Sequence, residues 1–175
     1  MKFNRLQVLL HSLILGLTGV CFVSDAANIT STTFTISGVL EAKTCTFVEK
    51  TRTIQLPEVD TKSLAHNSVY GTTSVAVSLN CPAGVSVVSI IPSGTAVESG
   101  DTTLFKNTGT AKNVGLRLFD NSNNVMRPDG ETKATFNPDT TAGVYVFKVG
   151  YAGTGTGRVS GGSFAATITL SLDYS

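Results

Sequence analysis

The chain has 175 residues, with 13 Lys and Arg against 12 Asp and Glu, 17 glycines, five prolines, three cysteines and no tryptophan. A formal charge of +1 provides neither the basic patch of a nucleic-acid binder nor an acidic tract for a cationic partner. Once an N-terminal leader is set aside, the length suits one ordinary domain with a real core.

That leader is "MKFNRLQVLLHSLILGLTGVCFVSDAA": Lys2 and Arg5, then an apolar run, then small residues. The order is that of a secretory signal peptide. Cleavage after Ala26 sets Ser24 and Ala26 at the two small-residue positions, whereas cleavage after Ala27 puts Asp25 at one of them. A retained membrane anchor is the rival reading, since about 18 apolar residues can span a bilayer. Gln7 and His11 interrupt the run and a small-residue site follows it, which favours export. Cys21 is not a lipidation site, because Val20 stands where a small residue is wanted. Removing residues 1–26 takes away Lys2, Arg5 and Asp25 and leaves 149 residues with 11 basic and 11 acidic side chains. A neutral chain has little self-repulsion, which suits packing against its own copies or relatives.

Cleavage also removes Cys21 and leaves Cys45 and Cys81. In an exported chain two cysteines most simply form one disulfide, worth roughly 3–4 kcal/mol for a loop of this length in the chain-entropy model. Two free thiols or half of a metal site compete with it. There is no second cysteine pair, and His66 is the one histidine left after cleavage, so no metal site is expected.

From Thr32 onward the chain alternates. "FTISGVL" sets Phe34, Ile36, Gly38 and Leu40 on one side; "TTSVAVSLNC" sets Val75, Val77, Leu79 and Cys81 together; "VSVVSII" follows the turn "CPAG" as the next strand. "NVGLRLFD" gives a face of Val114, Leu116 and Leu118, and "VYVFKVGY" one of Tyr145, Phe147, Val149 and Tyr151. Turn signals separate them: "PSG", "ESGD", "NSNN", "RPDG", "NPDTTAG" and "GTGTG". "VDTKSLAH" is the one candidate for a short helix. Short strands at regular spacing with Gly and Pro turns predict one all-β sandwich.

The last strand, "SFAATITLSLDYS", puts Phe164, Ala166, Ile168, Leu170, Leu172 and Tyr174 on one face and Ala165, Thr167, Thr169, Ser171 and Asp173 on the other. It has no charge before Asp173 and no proline, so as a free edge it invites another chain. Either a strand of this chain covers it or a partner's strand does. The N-terminal segment "NITSTTFTISGVLEAKTC" hangs ahead of Cys45 like a spare strand; an ordinary first strand of a closed sandwich is the competing reading.

These residues resemble a known family, the type 1 pilins of chaperone–usher fimbriae. The likeness covers the whole mature chain: "FTISGV" with Gly38, the pair Cys45 and Cys81, "LNCP", "AKNVGLRLFDNSNNVMRPDG", the penultimate Tyr174 and Gly162, the fourteenth residue from the end. It implies an incomplete immunoglobulin-like β-sandwich that lacks its seventh strand, which leaves a groove beside the last one present. A periplasmic chaperone first lends a strand to the open groove. At the outer-membrane usher the N-terminal extension of a neighbouring pilin subunit, the same or related, replaces it by donor-strand exchange. Residues 1–26 are then the cleaved signal peptide, 27–42 the donor extension and 43–175 the pilin domain. Thr32, Phe34, Ile36, Gly38 and Leu40 form the donor strand. Gly162, Phe164, Ala166, Ile168, Leu170, Leu172 and Tyr174 belong to the acceptor groove and chaperone-binding strand. The resemblance implies a fimbrial subunit on the bacterial cell surface, serving in adhesion as major shaft subunit or tip adaptor. An adhesin with its own lectin domain does not fit the length, and a base terminator fits poorly with an intact last strand. The alternative is a self-contained, disulfide-bonded secreted sandwich that binds a ligand such as a host glycan.

Other chemistry is sparse, and no cofactor is expected. "GTGTGR" lacks the Lys-Ser/Thr ending of a P-loop and the spacing of a dinucleotide fingerprint, and reads as a hairpin connection. Asp120, Asp129, Glu131 and Asp139 miss the EF-hand spacing and sit in turns. The sequon "NIT" at Asn28 matters only in a eukaryotic secretory pathway. With His66 the one remaining histidine, no Ser/His/Asp set can be drawn and no enzymatic activity is expected.

Overall fold

The structure is a computed structural model that describes residues 34–40, 43–64, 68–138 and 143–174. The chain divides into two units, Met1–Val39 and Leu40–Ser175. The leader, Asn28, Thr32, His66 and Asp139 lie outside the described residues. In the first unit, residues 34–39 are exposed and assigned to neither strand nor helix.

The described residues of the second unit form nine strands: β1 Thr46–Phe47, β2 Val69–Asn80, β3 Val88–Ser93, β4 Phe105–Lys106, β5 Val114–Phe119, β6 Val125–Met126, β7 Ala134–Phe136, β8 Val144–Gly153 and β9 Thr169–Tyr174. They form two antiparallel sheets. The larger has the order β1-β2-β8-β5-β4, with β6 also on β5; the smaller has the order β7-β3-β9. The expected short helix is a single 3-10 turn, Thr61–Ser63, capped by the Asp60 carboxylate, which accepts from the Lys62 N–H at 2.9 Å.

The alternation read from β8 is realised: Tyr145, Phe147 and Val149 are buried while Val144 and Val146 face outward. They join Leu79 of β2, Val88 and Ile90 of β3, Leu116 and Leu118 of β5 and Phe136 of β7 in one core between the sheets. Tyr145 lies between Phe136 and Phe147, with ring centroids at 6.1 and 4.7 Å, and its hydroxyl reaches out to the Asn121 side chain at 3.0 Å. This gives a buried phenol the polar partner it requires.

Three sequence expectations are corrected. "PSG" is not wholly a turn, because Pro92 and Ser93 finish β3. β5 is buried on both faces, not one. The turn after β3 folds over its outer side, bringing Leu104 and Val97 against Gly115, where a side chain would collide with them. Beneath that turn Arg117, 7% exposed, is ion-paired with Asp101 and hydrogen-bonded to the Thr103 hydroxyl. Finally, the strand read as continuous from Phe164 is laddered only from Thr169. Its first part bonds instead to residues 107–111, with Thr108 and Ala111 N–H groups donating to the Ala165 and Ser163 carbonyls at 2.7 and 3.0 Å.

Candidate functional site

The period-2 pattern of the last segment sets Phe164, Ala166, Ile168, Leu170 and Leu172 toward the core, and each is half-buried; Ala165, Thr167, Thr169 and Ser171 face solvent. One edge of β9 is satisfied by β3, with Ile90 opposite Leu172 and Pro92 opposite Leu170. Among the described residues no strand pairs with its other edge.

Across that open edge runs the segment that leaves β1. Cys45 is buried, and Phe47, Ile54, Leu56 and Val59 are half-buried. The segment parts from β2 after the Val48 N–H donates to the Ser78 carbonyl at 2.9 Å. Beyond that point the Arg52 guanidinium reaches the Ala76 carbonyl at 3.0 Å. No backbone hydrogen bond joins residues 49–60 to β9. The two are linked at one end, where the Tyr174 hydroxyl donates to the Cys45 carbonyl at 2.6 Å. At the other end Val59 packs over Gly71 and the Tyr151 ring lies beside it. Tyr151 in turn meets Phe164 edge-on, with centroids at 4.8 Å. Burial pushes the Tyr151 phenol above its ordinary pKa, and the charge of Glu58 adds to the rise.

The floor of this groove is under-covered in a telling way. Val75 and Val77 of β2 pair with Phe147 and Tyr145 of β8. The β8 residues are 1% and 3% exposed, yet both valines are only half-buried. The sandwich closes over β8 and stops short over β2. Three lines of apolar residues, from β9, β2 and residues 47–59, are therefore left half-covered, and among the described residues no strand lies paired between them.

This open side presents unpaired main-chain groups along β9 and apolar positions repeating every second residue, about 6.5–7 Å apart. That is the recognition chemistry of an added β-strand: backbone bonds along an edge and alternate side chains into pockets. Asp173 lies on the opposite, outer face of β9 and pairs with Lys133 at 2.6 Å. The hydrogen bond and then the charge of Lys133 hold its carboxyl below the usual aspartate range.

The other predicted residues fall as follows. Cys45 and Cys81 are joined by a disulfide with Cα atoms 4.1 Å apart. Phe34, Ile36, Gly38 and Leu40 are exposed, Ile36 at 94%. Gly162 precedes the strand and does not line it. At φ 151° it lies against Thr110 and Ala111, whose atoms stand 2.6 Å from where a Cβ would project. Asp120 is a turn residue whose carboxylate accepts from the Ser122 and Asn124 N–H groups at 2.8 and 2.7 Å. Asp129 pairs with Arg127 at 2.6 Å, and no group of acidic, His or Cys residues arranged for a metal occurs among the described residues. Sequence reasoning missed the far wall, Ile54, Leu56 and Val59. The alternation of Ile54 and Leu56 in "TIQLPEV" was its available signal.

The sequence model of the fimbrial protein family matches residues 31–175. The chain is 32% identical to Protein FimG of Escherichia coli (strain K12), over 82% of its own length and 84% of that protein. It is 28% identical to the type-1 fimbrial protein, A chain, of the same organism, over 99% and 100%. Among solved structures, the P pilus rod subunit PapA superposes with a TM-score of 0.57 at 14% identity, over 83% of this chain and all of that one. A chaperone–usher pilus structure superposes at 0.60 with 14% identity, over 84% and 97%. These two share the pilin fold. The chain belongs to the fimbrial protein family: it is a structural subunit of a bacterial surface fimbria.

Proposed function

We propose that the subunit polymerises by donor-strand exchange, with the groove beside β9 as acceptor and residues 27–42 as the donor offered to a neighbour's groove. In this reading residues 1–26 direct export and are removed, and residues 43–175 form the acceptor domain. A periplasmic chaperone fills the groove first, and the neighbouring subunit displaces it at an outer-membrane usher. The observation that carries the proposal is the uncovered edge: the inner faces of β9 and β2 are both half-covered, and among the described residues no strand pairs with the free edge of β9.

The donor has matching chemistry. Phe34, Ile36 and Leu40 recur at strand spacing and are exposed. Each would contribute about 1.5–3 kcal/mol on full burial, and ladder bonds add roughly 0.5–1.5 kcal/mol apiece. Because filling the groove completes the core, release requires reopening it and is slow. A self-contained sandwich would need the free edge of β9 paired by its own chain, and among the described residues no strand pairs with it.

The test is to produce residues 27–175 without chaperone, alone and with residues 28–42 appended after Ser175 through a linker. The unfused form should aggregate or melt low, and the fused form should be a stable monomer. A durable unassisted monomer that ignores added peptide overturns the proposal. In the chaperone-held form, uptake of the 28–42 peptide marks a self-polymerising shaft subunit; refusal of it, with uptake of a different subunit's extension, marks an adaptor.

A further inference from the structure

The outer face of the larger sheet carries a small apolar patch that the groove does not use. The Val48 N–H bonds the Ser78 carbonyl, and Ser78 pairs with Val144. Val48, Ser78 and Val144 thus form one row across three strands spaced about 4.8 Å apart. Ala76 and Val146 form the next row. Val48 is 62% exposed, Val146 42% and Val144 38%. Charge borders the rows: Lys148 lies opposite Ser74, and Arg52, paired with the exposed Glu49, bonds the Ala76 carbonyl at 3.0 Å.

We infer that this patch seats the neighbouring subunit, a second copy of this chain, whose groove holds residues 27–42. The inference rests on the donor-strand reading and adds to it a contact between the subunit bodies. Leu40 is the last apolar donor residue, and five residue steps separate it from Cys45. Extended chain covers at most about 18 Å in that distance, less than the width of a domain of this size, whose radius of gyration alone is about 14 Å. A neighbour that has taken in Leu40 must therefore abut the Cys45 end of this subunit. Val48 stands three residues from Cys45, about 10 Å along the strand, so the patch lies within the region the neighbour overhangs. Three valines and an alanine offer far less than the roughly 800 Å² per partner of a stable free complex. The patch acts only between tethered subunits, where the short connection supplies an effective concentration in the millimolar range. The formal neutrality of residues 27–175 leaves no net repulsion against it.

The connection contains Lys43, so tryptic cleavage there reports how closely the bodies sit. Polymers are formed from wild type and from Val48→Asp, Val144→Asp and Val146→Asp, changes that add no tryptic site and lie off the groove. Uptake of the 28–42 peptide by each chaperone-held subunit is measured alongside. Peptide uptake should stay within about twofold of wild type, while cleavage after Lys43 in the polymer speeds up about fivefold or more. Polymers of all three variants that are cut at the wild-type rate overturn the inference. Val48 is on a different strand from the other two, so a variant that fails to fold leaves an independent one to decide. If the wild-type groove takes up no donor, the donor-strand reading falls and this contact falls with it.

Discussion

The Tyr174 hydroxyl donates a 2.6 Å hydrogen bond to the carbonyl of Cys45, the residue the disulfide fixes to Cys81. The bond spans the end of the groove and sets the spacing of its two walls there, while leaving the β9 edge free along its length. Tyr174→Phe keeps the ring and removes the bond. With the groove filled by the 28–42 peptide, the variant should lose about 1 kcal/mol in urea denaturation and release the peptide about fivefold faster. Release at the wild-type rate would separate this bond from the energetics of the groove.

Arg117 and Asp101 fasten the turn that covers the outer face of β5, with side chains 9% and 14% exposed. Burial raises the pKa of the Asp101 carboxyl, but the hydrogen bonds from Thr103 and Arg117 and the Arg117 charge outweigh it and hold the group below the usual aspartate value. A depressed folded-state pKa contributes stability that is complete above the unfolded value of about 3.9 and is lost as pH falls through the folded value. Asp101→Asn should cost about 3 kcal/mol at neutral pH, since it leaves Arg117 buried without its counter-charge. Its urea midpoint should also fall less steeply than wild type below about pH 4. Parallel curves for the two proteins would show that Asp101 is not the titrating group.

The parts of the fold legible in the sequence were those in which one strand carries its own record of a half-buried face. β8 and the inner side of the last segment read correctly because period-2 alternation is a local property. The double burial of β5 was not legible. "NVGLRLFD" alternates as though one face met water, and the residues that cover the other face, Val97 and Leu104, come from an earlier turn. Arg117 falls on the face that this alternation leaves to solvent, and the partner that makes its burial possible is sixteen residues back. The far wall of the groove escaped for a related reason: Ile54 and Leu56 belong to no ladder, so no pairing pattern surrounds them. The groove was legible as an uncovered last strand, but its width depends on Tyr174 meeting Cys45 across most of the chain length.

The resemblance assigns Gly162 to the acceptor groove and its strand; in the structure it makes a close approach to Thr110 and Ala111 ahead of β9. Its φ of 151° and the 2.6 Å from a would-be Cβ to Thr110 and Ala111 leave no room for a side chain. The Ser163–Thr110 and Ser163–Ala111 bonds that start the last segment depend on that approach. Gly162→Ala should destabilise the peptide-filled subunit by more than about 1 kcal/mol. It should also increase amide exchange at Ala111 before exchange rises in β9. Equal stability with wild type would mean that the backbone relaxes there at no cost.

Gly38 tests the donor side with little interference from folding. Among the described residues, chain neighbours aside, no atom lies within 4 Å of where its Cβ would stand, so Gly38→Leu should add little strain to the subunit that carries it. Any defect must arise when residues 27–42 enter another copy's groove, where a missing side chain permits close backbone approach. In the proposed assembly the chaperone fills the groove and leaves the donor extension free, so the variant should be recovered as a normal chaperone complex. Its own groove should accept wild-type 28–42 peptide at the wild-type rate, while a 28–42 peptide carrying Gly38→Leu should be taken up at least about tenfold more slowly, a barrier of about 1.4 kcal/mol. Long polymers should then be absent. Normal polymers assembled from the Gly38→Leu subunit would remove Phe34 to Leu40 from the donor role, because a seated strand cannot accommodate a leucine at its closest point of approach without losing its neighbours' contacts.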